Sequence, residues 1–308
     1  MDFFYLLLQL VSAIVVAPLF DGISRKLRAK FQSRVGPSIF QTYRDLFKLL
    51  KRGRTKSHST SYIYQISPYV LFASAAAMFC VLPIAYGPSS VALSRFSDIF
   101  ILLYLGALFR FMFIVAGIDT ANPFAGISAS REGTLGFYTE EIAVICLVVV
   151  MMGTGSTNLA YITNLIQEGS YGYAFPSFSV AATAFLWVMY VETGRKPYDL
   201  AEAEQELQEG VLGEYCGKDL AIIDIAILLK QMTMLGFFLI IFVPWAGLVA
   251  NPILSLILFL AEIGFLYIMG VFIDNFGPRF TVNNGIKRTM LFALAISCTS
   301  LVLYIMGI

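Results

Sequence analysis

Eight separate stretches of this chain, approximately 3–20, 66–86, 99–118, 135–152, 173–191, 221–249, 253–273 and 286–308, are long, apolar and nearly free of charge. About 20 such residues carry a helix across a bilayer. Only 13% of the residues are charged and 58% are hydrophobic, against about a quarter charged in soluble domains, and the mean hydropathy is +0.77. Lipid is therefore the expected solvent and a nucleic-acid partner is excluded. The chain reads as all-α, one integral membrane domain over 1–308, with about eight transmembrane helices and two long polar loops, 21–65 and 192–220. The basic residues near the start follow the first apolar stretch instead of preceding it, the reverse of a secretory signal, so an uncleaved first helix is expected.

Basic residues in the connections set the expected orientation. The first connection holds Arg25, Lys26, Arg28, Lys30, Arg34, Arg44, Lys48, Lys51, Arg52, Arg54 and Lys56. Arg131 lies in the third, Arg195, Lys196 and Lys218 in the fifth, and Arg279, Lys287 and Arg288 in the seventh; the second, fourth and sixth together have only Arg95. The odd-numbered loops are expected in the cytoplasm and both termini outside, in the cell membrane. Within the first loop, after Arg34-Val35-Gly36-Pro37, the apolar residues Ile39, Phe40, Tyr43, Leu46, Phe47 and Leu50 recur at helical spacing with Arg44, Asp45 and Lys48 between them. An amphipathic helix along the membrane face follows. Its charge serves either anionic lipid or a docked partner, and Arg34, Gly36, Pro37, Arg44, Asp45 and Arg195 are the candidate docking residues.

The fifth connection is acidic. Glu192, Asp199, Glu202, Glu204, Glu206 and Glu209 fall within eighteen residues, with Glu214 just beyond. On a helix begun at Asp199, residues Asp199, Glu202, Glu206 and Glu209 form one stripe, while Glu204 shares the apolar side with Leu200, Leu207 and Val211. Loss of solvent or crowding raises a carboxylate pKa toward neutrality, so such acids can exchange protons. For Glu206 and Glu209 a plain solvated helix face explains the pattern as well.

Ionisable residues inside spanning helices are costly and normally face a bundle interior or a wet path. At ~1.5 Å per residue, Arg110, Glu140 and Lys230 lie on three different helices at one depth below the cytoplasmic edge, with Asp224 shallower. They predict a buried polar network opening toward the acidic loop, in which Arg110 and Lys230 balance Glu140 or Glu141 and Arg131 is a nearby cation. Paired structural ions without traffic are the alternative. Glu262, near the middle of the seventh stretch, would extend a path toward the outer face. Cys80, Cys146, Cys216 and Cys298 are widely spaced and His58 is the single histidine, so neither a metal cluster nor haem is expected in this chain.

The stretch 192–217, ETGRKPYDLAEAEQELQEGVLGEYCG, resembles the long cytoplasmic loop of the complex I membrane subunit that anchors the redox arm, the H subunit of bacteria and the first core membrane subunit of mitochondria. Arg34-Val35-Gly36-Pro37 and Ser130-Arg131 followed by Glu140 are also similar to that family. Gln41-Thr42-Tyr43-Arg44-Asp45 and Asp119-Thr120-Ala121-Asn122-Pro123, continuing through Ser130-Arg131-Glu132, resemble instead the membrane subunits of group 4 energy-converting [NiFe] hydrogenases, the formate hydrogenlyase and hydrogenase-4 type. One departure is Glu262, where relatives usually carry a basic residue. The resemblance implies a membrane anchor without a catalytic centre of its own. Its partners would be hydrophilic [NiFe] hydrogenase large and small subunits, a ferredoxin-like iron-sulfur subunit and antiporter-like membrane subunits. The [NiFe] centre and iron-sulfur clusters would belong to those partners, and the acidic loop would couple electron transfer to proton or sodium movement. A quinone-site subunit of an NADH dehydrogenase, a stand-alone secondary transporter and a passive anchor are the competing readings. A lone transporter is disfavoured because no two halves of the sequence mirror each other.

Overall fold

Each apolar stretch needs a start and a stop, and short polar residues supply most of them. In the computed structural model, which describes residues 2–55, 60–84, 96–200, 204–208, 210–249, 251–278, 280–281 and 289–307, ten helices of nine or more residues are seen. They are α1 (Asp2–Phe31), α2 (Gln41–Leu50), α3 (Tyr62–Val81), α4 (Ile99–Asp119), α5 (Pro123–Thr154), α6 (Leu159–Gln167), α7 (Pro176–Glu192), α8 (Gly217–Phe242), α9 (Pro252–Phe276) and α10 (Leu291–Ile305). Ser61, Asp98, Asn122, Asn158 and Asn251 each cap a helix start by accepting a backbone N–H, and Pro stands in the first turn of α5, α7 and α9, where its missing N–H costs nothing. Gly155, at φ 67°, ends α5 in the left-handed conformation that a side chain would strain. Among the described residues there is no strand, only an isolated bridge between Asp98 and Asn158.

Six helices, α1, α3, α4, α5, α8 and α9, are long and apolar enough to cross a membrane. The fifth and eighth apolar stretches form shorter helices, α7 with 17 residues and α10 with 15. Three elements differ from the sequence reading. α5 has 32 residues and begins twelve positions before its apolar core, so Arg131 and Glu132 lie on a helix, not in a loop. α6 was not expected, and the C-terminus of α8 stops at Phe242, before Pro244.

α8 is the centre of the bundle: 83% of its apolar window is buried, against 22–50% for the other spanning helices. It packs on α1, α2, α3, α6, α7 and α9, while α3–α4, α4–α5, α5–α7 and α7–α10 close the surrounding wall. A helix apolar on every side belongs in such a core. Alternation of the spans brings the first, third, fifth and seventh connections to one side, as the charge pattern implied. Arg54 pairs with Asp219 at 2.8 Å, Asn122 donates to Glu214, and the Phe280 N–H donates to Pro197 O at 3.2 Å. On the opposite face the Leu159 N–H donates to Ser97 O at 2.7 Å, and Gln167 Nε2 donates to Pro244 O at 2.8 Å.

The amphipathic helix predicted in the first loop is α2. Thr42 and Leu46 are buried, and the Tyr43 hydroxyl donates to Val15 O in α1, so α2 lies along the bundle wall. Its expected apolar face is split. Phe40 and Phe47, 61% and 62% exposed, point away from the bundle, because one helix face of 10 residues cannot turn every apolar side chain inward.

Candidate functional site

Glu192 is the last residue of α7, and its carboxylate lies where α4, α5 and α8 meet. Arg110 Nη2, from α4, stands 2.5 Å from Glu192 Oε1, and Lys230 Nζ, from α8, 3.2 Å from Oε2. The Thr139 hydroxyl of α5 donates to the same Oε1. All three charged side chains are buried, at 7–9% exposure. Arg110 also pairs with Glu140, and Lys230 lies 3.8 Å from Glu132. One buried carboxylate is thus held by two buried cations, each of which has a second carboxylate nearer the edge. Full desolvation of a lone charge costs several kcal/mol, so these residues need one another.

Two clefts meet at this cluster. One, of about 490 Å³, is lined by Glu132, Glu192, Asp199, Lys230 and Gln231 and reaches the loop. The other, of about 390 Å³, is lined by Arg110, Glu140 and Glu192 together with apolar residues such as Gly106, Met234 and Phe237. Glu192 is common to both. Room for Arg110 depends on Gly136: a Cβ there would lie 2.1 Å from Arg110 Nε.

The loop above is a folded cap. Tyr198, Leu200, Leu207, Val211 and Tyr215 are all buried; Tyr215 stacks on Tyr64 at 4.2 Å, and Tyr198 meets Trp187 edge-on at 5.8 Å. Burial pushes the Tyr198 and Tyr215 hydroxyls up in pKa. Val211 rests on Gly117, where a Cβ would come within 2.7 Å of Val211 Cγ2. The expected helix from Asp199 is reduced to one turn, Glu204–Leu207, since Asp199 and Leu200 lie outside any helix and Leu200 is buried from there. The predicted apolar side, Leu200, Leu207 and Val211, is buried all the same. Glu202, Glu209 and the Glu204 side chain lie outside the described residues, as do His58, Arg95, Arg279, Lys287 and Arg288.

The other candidate residues divide. Glu206 is 63% exposed and pairs with Arg131 at 2.7 Å, tying the loop to α5; Arg131 also reaches Leu200 O at 3.5 Å. Glu214 accepts from Asn122, and its backbone O accepts from the Tyr64 hydroxyl at 2.6 Å. Glu141 is exposed, and no ion pair among the described residues includes it; it corrects the expectation of a counter-charge, because one position on a helix turns the side chain by about 100° from Glu140. Arg34, Pro37 and Arg44 are exposed, while Asp45 accepts from Gln41 Nε2 at 2.9 Å, and a Cβ on Gly36 would sit 2.7 Å from Ala29 Cβ. Arg195 is not a free docking cation: its guanidinium lies 4.2 Å over the Tyr267 ring and donates to Tyr267 O at 3.3 Å.

Sequence reasoning left out Glu132 and Gln231. Gln231 Nε2 donates to Thr193 O at 2.8 Å, and the Tyr267 hydroxyl donates to its Oε1 at 3.3 Å. A second buried ion pair was also missed, Arg28–Asp274 at 2.5 Å, to which the Tyr190 hydroxyl adds a bond at 3.2 Å. Glu132 stands eight positions before Glu140 in a sequence that continues a helical pattern, a signal that was available; Asp274 and Arg28 are 246 residues apart, and nothing local pairs them. Among the described residues no three His, Cys, Asp or Glu side chains gather in a way that could hold a metal.

The NADH dehydrogenase family profile matches residues 4–305. Hydrogenase-4 component C of Escherichia coli K12 is 37% identical over 275 residues, 88% of this chain and 86% of that protein. Formate hydrogenlyase subunit 4 of the same organism is 38% identical over 245 residues, 80% of this chain and 79% of that protein. The H subunit of NADH-quinone oxidoreductase from Chlorobium luteolum is 30% identical over 217 residues, 66% of this chain and 57% of that protein. In solved structures, a chain of the membrane-bound sulfane sulfur reductase, an archaeal respiratory membrane complex, superposes with a TM-score of 0.85 at 23% identity, covering 97% of this chain and 98% of that one; this likeness speaks for the fold. With the helical bundle, the acidic cap and near full-length matches, the chain belongs to the NADH dehydrogenase family of membrane subunits, on the hydrogenase-4 component C and formate hydrogenlyase subunit 4 side of it.

Proposed function

We propose that this chain anchors a hydrophilic [NiFe] hydrogenase module on its acidic face and couples electron transfer there to the movement of H⁺ or Na⁺. The observation that carries the reading is Glu192, buried between Arg110 and Lys230 and shared by a cleft under the loop and a cleft in the bundle. The odd-numbered loops face the cytoplasm by their basic residues. The hydrogenase large and small subunits and a ferredoxin-like subunit sit over the cap, and antiporter-like subunits flank the bundle near Glu140. The [NiFe] centre and the clusters are the partners' own. A unit charge arriving ~12 Å from Asp199 acts with about 1.4 kcal/mol at an effective dielectric of about 20, one pKa unit. That field acts on the carboxylates of Asp199, Glu132 and Glu192, and the sharing of Arg110 and Lys230 among them changes with it. Glu140, 44% exposed at the wall, passes the change to the neighbouring membrane subunit.

The test is Glu140→Gln and Glu192→Gln in the assembled, hydrogen-evolving complex reconstituted in vesicles. The ion moved per hydrogen formed is expected to fall at least several-fold while cofactor content is retained. An unchanged ratio in both variants would leave the chain a passive anchor.

A further inference from the structure

Around its axis, α2 divides into four sectors, counted at about 100° per residue from Tyr43. Thr42 and Leu46, at about −100° and −60°, are buried, and the Thr42 hydroxyl donates to Asp21 Oδ2 of α1 at 2.8 Å. The next sector holds Leu50, Tyr43 and Phe47, from about −20° to 40°. Tyr43 donates to Val15 O, which lies ~9 Å along α1 from Asp21 toward the middle of the membrane, so this sector points down the bundle wall. There α1 presents Leu7, Val11 and Val15, spaced by one helical turn and 47–54% exposed. Phe47, 62% exposed, and Leu50, 37% exposed, continue that apolar stripe upward.

Lys51, Arg44 and Lys48 follow at about 80° to 140°, and all three are exposed. They face sideways, opposite the buried sector and above the apolar one. Gln41 and Asp45 come last, at about 160° to 200°, on the side turned away from the membrane, where Gln41 Nε2 donates to Asp45 Oδ1 at 2.9 Å. Asp21, the carboxylate of α1 that α2 touches, is taken by Arg25 at 2.8 Å and by Thr42. Among the described residues no ion pair includes Arg44, Lys48 or Lys51. Three uncompensated cations therefore stand at the lateral rim of the bundle, just above side chains that extend its lipid-facing wall. A hydrophilic partner seated from the cytoplasm would meet the Gln41 and Asp45 sector instead. Apolar below and basic beside is the order of acyl chain and phosphate in a leaflet of anionic lipid.

We propose that α2 is an anionic-phospholipid binding helix at the rim of the bundle: Phe47 and Leu50 rest on the acyl chains of the surrounding leaflet, and Arg44, Lys48 and Lys51 hold its phosphates. The surface stands on its own geometry and does not depend on coupling to a redox partner.

Lipids brominated on the acyl chain quench a tryptophan that touches them. Phe47→Trp, in the full-length chain within its natively purified complex, is placed in phosphatidylcholine bilayers that contain either brominated phosphatidylglycerol or brominated phosphatidylcholine, and the quenching of the added tryptophan is taken as the difference from the parent complex. Each basic residue near an anionic surface favours it about fivefold, so quenching by brominated phosphatidylglycerol is expected to exceed that by brominated phosphatidylcholine by about threefold or more at low salt. The preference should fall toward parity at about 1 M salt and in Arg44→Gln/Lys48→Gln/Lys51→Gln. The salt series needs no charge variant, so it reads the same surface even if the triple variant fails to fold. Equal quenching by the two lipids at low salt overturns the proposal, as does a preference that survives both salt and the triple variant. Absence of quenching by either lipid overturns it too, since a protein subunit would then cover this face. No turnover is measured, so the outcome is separate from that of the coupling experiment.

Discussion

Replacing Glu192 by Gln preserves size and the bond from Thr139 but removes the charge that Arg110 and Lys230 share. Both cations are 8–9% exposed, so water replaces little of what is lost. Each keeps one carboxylate: Arg110 has Glu140, 44% exposed, and Lys230 has Glu132 at 3.8 Å, 22% exposed. Removal of one member of a buried ion pair typically costs about 3–5 kcal/mol. The two remaining partners bring the expected loss for Glu192→Gln to about 3 kcal/mol. Glu140→Gln leaves Arg110 with Glu192 and so should cost less than Glu192→Gln. Lys230→Gln relieves the unbalanced charge left by Glu192→Gln, so the double variant should be more stable than the sum of singles by at least ~1 kcal/mol. Denaturant unfolding in mixed micelles measures all four proteins. Additivity within about 0.5 kcal/mol, or an equal cost for Glu140→Gln and Glu192→Gln, would refute the account of Glu192 as the shared centre.

Gly136→Ala should destabilise by about 1–3 kcal/mol through its clash with Arg110, whereas Gly126→Ala in the same helix, with nothing within 4 Å of the added Cβ, should stabilise by about 0.5–1 kcal/mol; the same unfolding assay decides. Asp274→Asn leaves Arg28 without its buried partner, whose side chain is 0% exposed, and should cost about 3 kcal/mol and loosen the loop to proteolysis near 195–200. Because burial raises the pKa of Tyr198 and Tyr215, their contribution is complete below the unfolded value of about 10 and is lost as pH rises above it: the folded protein holds those protons longer than the unfolded chain does. Unfolding measured between about pH 9 and 11 should show a falling stability, with a shallower slope in Tyr198→Phe.

Much of the fold was legible because lipid imposes one rule on every span. Apolar length located the helices that became α1, α3, α4, α8 and α9, and the basic residues grouped the connections that the structure brings to one side. Helix ends were harder. Polar residues continue α5 back to Pro123, and hydropathy cannot separate a helix that leaves the membrane from one that stops; this hid Glu132. The acidic loop was legible as a special segment but not as a shape, since its helical spacing competed with the burial of Tyr198, Leu200 and Tyr215 on the bundle.

By itself, then, the sequence determined that Arg110, Glu140 and Lys230 share a depth and that several acids crowd one membrane edge. Depth follows from counting along a helix. Which acid is gripped by both cations depends on the rotation of four helices about their axes, and that is fixed by packing between residues far apart in the chain. Only the tertiary structure selected Glu192 over Glu141 and paired Arg28 with Asp274.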